Sequence, residues 1–248
     1  NWSSSLGGNG LPDATKNAII AANAFNRNPT IDGSGGSASC KNLTINSTMI
    51  LTLNTPAGAS DLVINGDMQI NGEVRMTSAN DYIETTGNWV KAPAGTSNLT
   101  NGTVTFTGTG SKTINNGTGT FKNLTINNAG LVATLGANTT LNGDLAITAG
   151  SLDVSGSFYS LTVKGNWVNS GTFIARTGST ATVTLSSLTA GSITLNPGAS
   201  SFNHLTINGG VSTVYVLTTN NLSTAGQVTI TNSELNLNGL TFNMGDNV

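Results

Sequence analysis

The sequence is poor in charge, cysteine, histidine and proline. Only 8% of its 248 residues are charged, and it contains 1 Cys, 1 His and 5 Pro, whereas a typical soluble domain is about 25% charged. With 9 Lys+Arg the chain has too few cations to bind nucleic acid by neutralising phosphates. A single Cys and a single His exclude a disulfide framework and a metal centre built on several such ligands. We therefore expect no metal and no cofactor.

The chain also lacks long apolar runs. None approaches the roughly 18 residues that cross a bilayer, so we expect no membrane insertion. The low charge does not indicate disorder, because 37% of the residues are hydrophobic and disordered chains combine low hydrophobicity with high charge or much proline. Just over half of the chain is Thr, Asn, Gly or Ser. Many β-branched residues, broken at short intervals by Gly and Asn, predict short strands joined by tight turns.

An internal repeat is the strongest signal in the sequence. Residues 40–46 recur at 121–127 and 202–208, so that Leu43, Leu124 and Leu205 are spaced by 81 residues. Three further motifs recur in the same order. They are Asn-Gly-Asp at 65–67 and 142–144, Gly-Asn-Trp-Val at 87–90 and 165–168, and Thr-Val-Thr at 103–105 and 182–184. A fixed period of this kind is typical of stacked repeat architectures.

The repeat predicts the fold class. Motifs fall about every 20 residues, and strands show alternating apolar residues, as at Leu43 and Ile45. We predict an all-β chain, a right-handed parallel β-solenoid of about twelve coils of ~20 residues, four to each 81-residue super-repeat. Leu43, Leu124 and Leu205 should then lie on one line along the solenoid axis. An antiparallel sandwich would give no reason for such a register.

Several segments resemble secreted bacterial β-solenoid surface proteins, Bacteroidota-like, of adhesin or filament type. At the start these segments are Asn1-Trp2, Leu11-Pro12, Pro29-Thr30-Ile31 and 40–45, and in the interior they are 102–108 and 165–173. The resemblance implies a protein that is extracellular and located at the cell surface. It also favours an extended strand or cap over a short helix at residues 13–25.

The repeat and the resemblance together predict the domain organisation. Residues 1–39 are expected to form an N-terminal cap or docking segment. The solenoid body covers 40–248, in units 40–120, 121–201 and an incomplete 202–248. Because solenoids need capped ends, we expect either a trimmed chain or a neighbouring subunit over the last coil. The expected assembly ends are Asn1, Trp2, Leu240, Phe242 and Val248.

Aromatic residues are the candidates for a sugar contact. Trp89, Trp167 and Tyr82 could offer flat faces to sugar rings, but packing of the Trp rings in the core is favoured. The charged stretch around Tyr82, which includes Asp81 and Glu84 with Glu73 and Arg75 nearby, is interpreted as an exposed loop rather than a cation or sugar site.

No catalytic group is predicted. Asp67 and Asp144 recur in one motif, but they lie roughly 19 Å apart by the coil count, whereas a glycosidase pair needs about 5–9.5 Å. Both are interpreted as turn or corner residues. His204 takes the place of Asn42 and Asn123 and is interpreted as neutral drift. Cys40 is interpreted as a small buried hydrophobe.

These observations favour a structural, non-enzymatic role. We expect a subunit of a surface filament or adhesin stalk that assembles with itself head to tail through β-strand pairing. The alternative is a carbohydrate-binding adhesin with a surface polysaccharide as partner, and a polysaccharide-degrading enzyme is a weaker one.

Overall fold

The computed structural model describes residues 12–21, 28–33, 37–55, 61–156, 159–175 and 182–245. These residues form 28 strands and no helix, and every strand pairing among them is parallel. The strands stack into a β-solenoid, which confirms the predicted all-β parallel architecture. Alternating burial along the strands, as in Leu43–Ile45, puts one set of side chains inside the solenoid and the other outside.

The chain winds around three faces in a fixed order, here called face 1, face 2 and face 3. The strands of face 1 are Ala38–Cys40, Leu62–Ile64, Tyr82–Thr85, Thr103–Phe106, Trp167–Asn169, Gly191–Asn196, Thr213–Leu217 and Glu234–Asn236. The strands of face 2 are Ala18–Ile20, Leu43–Ile45, Met68–Ile70, Trp89–Lys91, Gly110–Asn115, Thr172–Ile174, Leu222–Thr224 and Phe242–Met244.

Two long strands, Asn123–Leu135 and Leu145–Asp153, run across both of these faces. The strands of face 3 are Thr30–Ile31, Ile50–Leu53, Glu73–Met76, Thr96–Asn98, Thr120–Phe121, Thr139–Leu141, Leu161–Val163, Thr182–Leu185, His204–Asn208 and Val228–Thr231.

The turns are longer and fewer than the sequence predicted. Paired residues one turn apart are separated by 20 residues at Val104 and Leu124 but by 28 at Trp167 and Leu195. Corners and surface loops supply the extra residues. The ten stacked strands of face 3 therefore span about nine turns, and the expectation of about twelve was wrong.

The 81-residue repeat is not in phase with the turns. Leu43 lies on face 2, Leu124 on face 1 and Leu205 on face 3. Each step of the repeat passes through three full turns and two further faces. This makes eleven strands when each long strand is counted on both of its faces and the isolated bridge residue Phe202, which pairs with Thr224, is counted as the face 2 strand of its turn. The prediction that these leucines share one line along the axis was therefore wrong, and so was the assignment of four coils to each unit. The repeated motif specifies one strand and its corner. Because such a strand can take a place on any of the three faces, the motif can recur on a different face each time.

The core is a continuous column of inward side chains. Trp89, Trp167 and Tyr215 are its largest fully buried members. The Trp167 ring stands 5.0 Å, between centroids, from both Phe173 and Phe202. Burying a large apolar side chain contributes about 1.5–3 kcal/mol, so this aromatic cluster is a major source of stability where the turn is longest.

The solenoid begins earlier than residue 40. Ala18–Ile20 is a strand that pairs in parallel with Leu43–Ile45, and Thr30–Ile31 pairs with Thr52 and Leu53. Residues 18–20 are thus extended, as the resemblance favoured, and not helical. Part of the segment set apart as a cap or docking region already carries solenoid strands.

Candidate functional site

The corner between faces 1 and 2 carries a ladder of short polar side chains. Each residue stands just before a strand and binds the backbone N–H one turn further along. The Asp67 N–H donates to Asn42 Oδ1 at 2.8 Å, the Asn88 N–H donates to Asp67 Oδ1 at 2.7 Å, and the Thr113 N–H donates to Asn88 Oδ1 at 2.8 Å. Asn42 also donates its amide to Asn17 Oδ1. The ladder therefore satisfies backbone donors that leave the sheet at the corner.

A second ladder stands on the corner between faces 3 and 1. The Asp144 N–H donates to Asn123 Oδ1 at 2.9 Å, the Asn166 N–H donates to Asp144 Oδ1 at 2.7 Å, and the Thr194 N–H donates to Asn166 Oδ1 at 2.8 Å. Asp67 and Asp144 are thus corner residues, as the sequence predicted, on different corners. The structure does not bring their carboxylates together.

The ladders explain the glycine in the repeated motif. A Cβ at Gly66 would collide with Asn42 Oδ1, and a Cβ at Gly143 would collide with Asn123 Oδ1. Where a ladder side chain lies one turn earlier, as it does beneath Gly66 and Gly143, the residue before the next ladder position must therefore lack a side chain. Gly-Asp and Gly-Asn recur in the sequence because the pair makes one corner.

His204 has the same role on the corner between faces 2 and 3. Its Nδ1 accepts the Gln227 N–H at 3.1 Å. A ring nitrogen thus replaces the amide oxygen that Asn42 and Asn123 supply at the corresponding position of the repeat.

The candidate sugar-binding tryptophans lie in the core. Trp89 and Trp167 are 0% and 1% exposed, and the Trp89 indole N–H donates to buried Asn116 Oδ1 at 3.1 Å. Neither indole offers a face to a ligand, so the hypothesis of sugar contact at these two residues is wrong. Tyr82 is half-buried on face 1, and burial raises the pKa of its phenol.

The charged stretch around Tyr82 is not one exposed loop. Arg75 and Glu73 form an ion pair on face 3, with Nη2 and Oε1 2.8 Å apart. Glu84 accepts the Thr107 hydroxyl at 2.8 Å. Asp81 is 1% exposed, so its interpretation as an exposed residue was wrong.

Asp81 belongs to a buried pair of carboxyl groups that the sequence did not reveal. Its two oxygens accept the backbone N–H groups of Thr55, Thr77 and Ser78 at 2.6–2.8 Å. The Thr55 hydroxyl lies 2.8 Å from Asp81 Oδ1 and 2.7 Å from Asp61 Oδ2. Since a hydroxyl has one proton, it donates to one carboxyl group and accepts from the other only if that group is protonated.

Asp61 is the carboxyl group of the pair whose pKa is raised. It is 1% exposed, and its Oδ1 has no hydrogen-bond partner. Burial raises its pKa, and the nearby charge of Asp81 adds to that rise, although bonds from Thr55 and Tyr82 oppose it. The pair can share a proton, but the described residues place no cation beside it. Asp61 precedes a strand as Asp67 does, so its sequence position carries no signal of burial.

Cys40 is inside the first full turn. It is 0% exposed, and burial raises the pKa of its thiol to about 12. A thiol this hard to ionise is a poor nucleophile, which agrees with its interpretation as a core residue.

Within the described part of the chain, no group of three or more His, Cys, Asp or Glu side chains is placed to hold a metal ion. Within the same residues, no helix has the length and apolarity to cross a bilayer.

Face 3 carries a column of outward threonines. Eight of its ten successive outward positions are Thr, interrupted by Arg75 and Asn98, and the eight are Thr30, Thr52, Thr120, Thr140, Thr162, Thr184, Thr206 and Thr229. One repeat, or eleven strands, before each of the last six threonines of this column, the chain lies on face 1. The residues there are Ser39, Val63, Glu84, Thr105, Thr125 and Ala146. The column therefore follows the face and not the repeat. Threonine neighbours on adjacent strands stabilise a sheet.

The last described turn leaves the core open. Its inward side chains stack on residues of the preceding turn that are buried, since Ile230 pairs with Ile207 and Leu235 pairs with Tyr215. Ile230 is nevertheless 45% exposed, and Met244 is 65% exposed. Leu240 and Phe242, two of the expected assembly residues, are partly buried against the core here. This surface, made by 228–231, 234–236 and 242–244, is called the open end.

The first described turn differs from the open end. Its inward residues Ala18, Ile20 and Ile31 are buried, at 4–6% exposure. Among the described residues, its strands pair on one side only, with the turn that follows. This surface, made by 18–20, 30–31 and 38–40, is called the first end. Asn1, Trp2 and Val248 lie outside the described residues.

No protein-family model matches the chain, and neither does any curated protein or solved structure. The resemblance to bacterial surface proteins therefore stays a prediction.

Proposed function

We propose that the protein is a structural subunit of an extracellular surface filament or stalk, joined end to end by β-strand pairing. The open end is the observation that carries this proposal. Three strands there have no partner beyond them among the described residues, and inward apolar side chains that are buried elsewhere in the solenoid are exposed. An unpaired strand edge next to exposed apolar side chains favours the addition of further strands.

The parallel stacking favours a head-to-tail contact. All strands on a face run the same way, so the open end of one copy presents the edges that the first end of another copy would meet within a single solenoid. Unlike surfaces that join without closing a ring generate a filament. The location at a bacterial cell surface rests on the resemblance of the opening segments.

The side faces of the solenoid support a structural role for the protein. Between pairs of described residues there are two ion pairs, Lys16–Asp13 and Arg75–Glu73, and the corners are closed by neutral and singly charged ladders. Such a surface has weak electrostatic repulsion between copies. The two tryptophans that could have supported a carbohydrate-binding function are in the core, so we do not propose that alternative.

Electron microscopy and sedimentation velocity of the full chain over a range of concentrations test the proposal. We expect filaments that lengthen with concentration. Rods that stay monomeric at high concentration would remove the proposal. Double-length rods would show instead that two open ends pair with each other in a closed dimer.

A matched pair of charge variants locates the contact. Ile230→Lys puts an ammonium group on the open end and should abolish assembly while circular dichroism stays unchanged. Val211→Lys makes the same change at a corner residue that is 91% exposed and should assemble like the wild type. Equal assembly of both variants would place the contact elsewhere.

A further inference from the structure

We infer that Thr55, Asp61 and Asp81 form a clasp between two turns of the solenoid, which a proton closes and which opens when that proton is lost. The clasp lies where the chain passes from face 3 to face 1, since Thr55 follows the strand Ile50–Leu53 and Asp61 precedes the strand Leu62–Ile64. It does not depend on the proposed end-to-end assembly, because all of its residues belong to one copy.

The clasp joins the two turns by hydrogen bonds that run in both directions. Thr55 belongs to the earlier turn and donates its N–H to Asp81 Oδ1 in the later turn, at 2.8 Å. Tyr82 belongs to the later turn and donates its N–H to Asp61 Oδ2 in the earlier turn, at 2.7 Å. The two carboxyl groups that accept these bonds meet at the Thr55 hydroxyl. A change at this hydroxyl therefore affects both connections.

The geometry at the hydroxyl requires a proton on one carboxyl group. The Thr55 Oγ1 is 2.7 Å from Asp61 Oδ2 and 2.8 Å from Asp81 Oδ1, and both distances are hydrogen-bond lengths. The hydroxyl can donate to only one of them, so the other contact needs a carboxylic acid as its donor. Both oxygens of Asp81 already accept backbone N–H groups, whereas Asp61 Oδ1 has no partner. The proton is therefore assigned to Asp61 Oδ2, which donates to Thr55, and Thr55 donates to Asp81.

Loss of this proton places two negative charges at one buried hydroxyl. Asp61 and Asp81 are each 1% exposed, so solvent and salt screen their repulsion poorly. One of the two contacts at the hydroxyl is then left without a proton between its oxygens. The Asp61 carboxylate also keeps one oxygen without a donor in the interior, which is costly. Opening of the clasp relieves all of these effects.

The other charged and titratable groups of the neighbouring elements do not offset this repulsion. In the later turn, the Tyr82 phenol and Glu84 are on the outer side of face 1, and Arg75 pairs with Glu73 on face 3. In the turn before the clasp, Asp32 is exposed. Among the described residues, no cation therefore compensates the two carboxyl groups, and the proton is the group that closes the clasp.

Amide hydrogen exchange of the full chain between pH 3 and pH 8, corrected for the intrinsic rate, tests the clasp. The Thr55 and Tyr82 amides report its opening. We expect their protection to be constant below the ordinary aspartate pKa of 3.8. It should then fall by up to tenfold per pH unit until pH reaches the raised pKa of Asp61, and level off above it. The Leu145 amide, which donates to the Asn166 carbonyl in a distant turn, should show no such fall. An equal fall at Leu145 would mean that the whole chain unfolds, and it would overturn a local clasp.

A matched pair of variants identifies the group that titrates. Asp61→Asn keeps an oxygen for the Tyr82 N–H but cannot ionise, so it should remove the pH dependence at both reporter amides. Asp67→Asn makes the same change at a corner carboxyl group outside the clasp, which accepts the Asn88 N–H, and should keep the wild-type profile. Persistence of the pH dependence in Asp61→Asn, or its loss in both variants, would overturn the clasp.

Two measurements on the wild-type chain test the clasp even if Asp61→Asn does not fold. Protection of the Thr55 and Tyr82 amides that stays constant from pH 3 to pH 8 would overturn it. Calcium chloride at pH 8 should leave the low protection of these amides unchanged. If calcium restored the protection, the two carboxyl groups would hold a cation in place of the proton, and the proton clasp would be wrong.

Discussion

At the scale of single residues, the protein uses short polar side chains where solenoid strands turn. Asn, Asp and His are interchangeable at the corners because each places one acceptor above a backbone N–H. Glycine precedes a corner residue where another corner side chain lies one turn earlier, as at Gly66 and Gly143, because a Cβ would occupy the same space. A recurring Asp can suggest a catalytic group when only the sequence is known. Here it is a hydrogen-bond acceptor on a corner of the solenoid. The exception is Asp61, which is buried beside Asp81 rather than exposed on a corner.

Asp61 predicts an unusual pH dependence of stability. Its pKa is raised in the folded state from an ordinary value of 3.8, so its carboxyl group favours folding most at acid pH. That contribution is lost as pH rises through the raised pKa. Asp61→Asn removes the charge and keeps an oxygen for the Tyr82 N–H. It should raise the urea midpoint at pH 7 and leave it nearly unchanged at pH 3. An equal effect at both pH values would show that folding does not raise the pKa of Asp61.

At the scale of strands and corners, a single unit accounts for the repeat, and this unit consists of one strand and one corner. Its inward residues are apolar, and its corner residue binds the next turn. The element repeats eleven times in 81 residues, which gives three and two-thirds turns. The same motif therefore appears on each face in succession, whereas the threonine column stays on face 3.

The corner ladder predicts different outcomes for two substitutions of His204. His204→Asn should keep the acceptor for the Gln227 N–H and leave stability unchanged at pH 8, since Asn123 does the same for Asp144. His204→Leu removes the acceptor and should cost about 1 kcal/mol. Urea unfolding of both variants measures the difference. Equal stability of Asn and Leu would mean that water satisfies the Gln227 N–H.

At the scale of the whole molecule, stability is local. Each turn contacts mainly the turns before and after it, so the protein behaves as a row of coupled units. Among the described residues, the units at the open end have a neighbour on one side only, and their apolar side chains remain partly exposed. The ends are therefore expected to open before the middle.

Two leucine truncations test this gradient. Leu205 is 1% exposed in the interior, whereas Leu235 is partly buried in the last described turn. Leu205→Ala should cost about 2–5 kcal/mol, the usual range for a buried leucine. Leu235→Ala should cost about 1 kcal/mol in the monomer, because less area is buried there. Thermal and urea unfolding below the assembly concentration measure both. Similar losses would show that the open end is covered in solution.

The sequence by itself determined the class of fold and the role of its most regular residues. Alternating apolar residues, frequent Gly and Asn, and a fixed period are local properties, so they specified parallel stacked strands, the corner positions of Asp67 and Asp144, and the buried place of Cys40. Only the tertiary structure decided the number of turns, because corner and loop lengths set the residues per turn. It also decided that Leu43, Leu124 and Leu205 stand on different faces, since eleven strands do not make whole turns of three. The Asp61–Asp81 pair and the open end became visible only with the fold, because burial depends on what lies one turn away and not on neighbours in the chain.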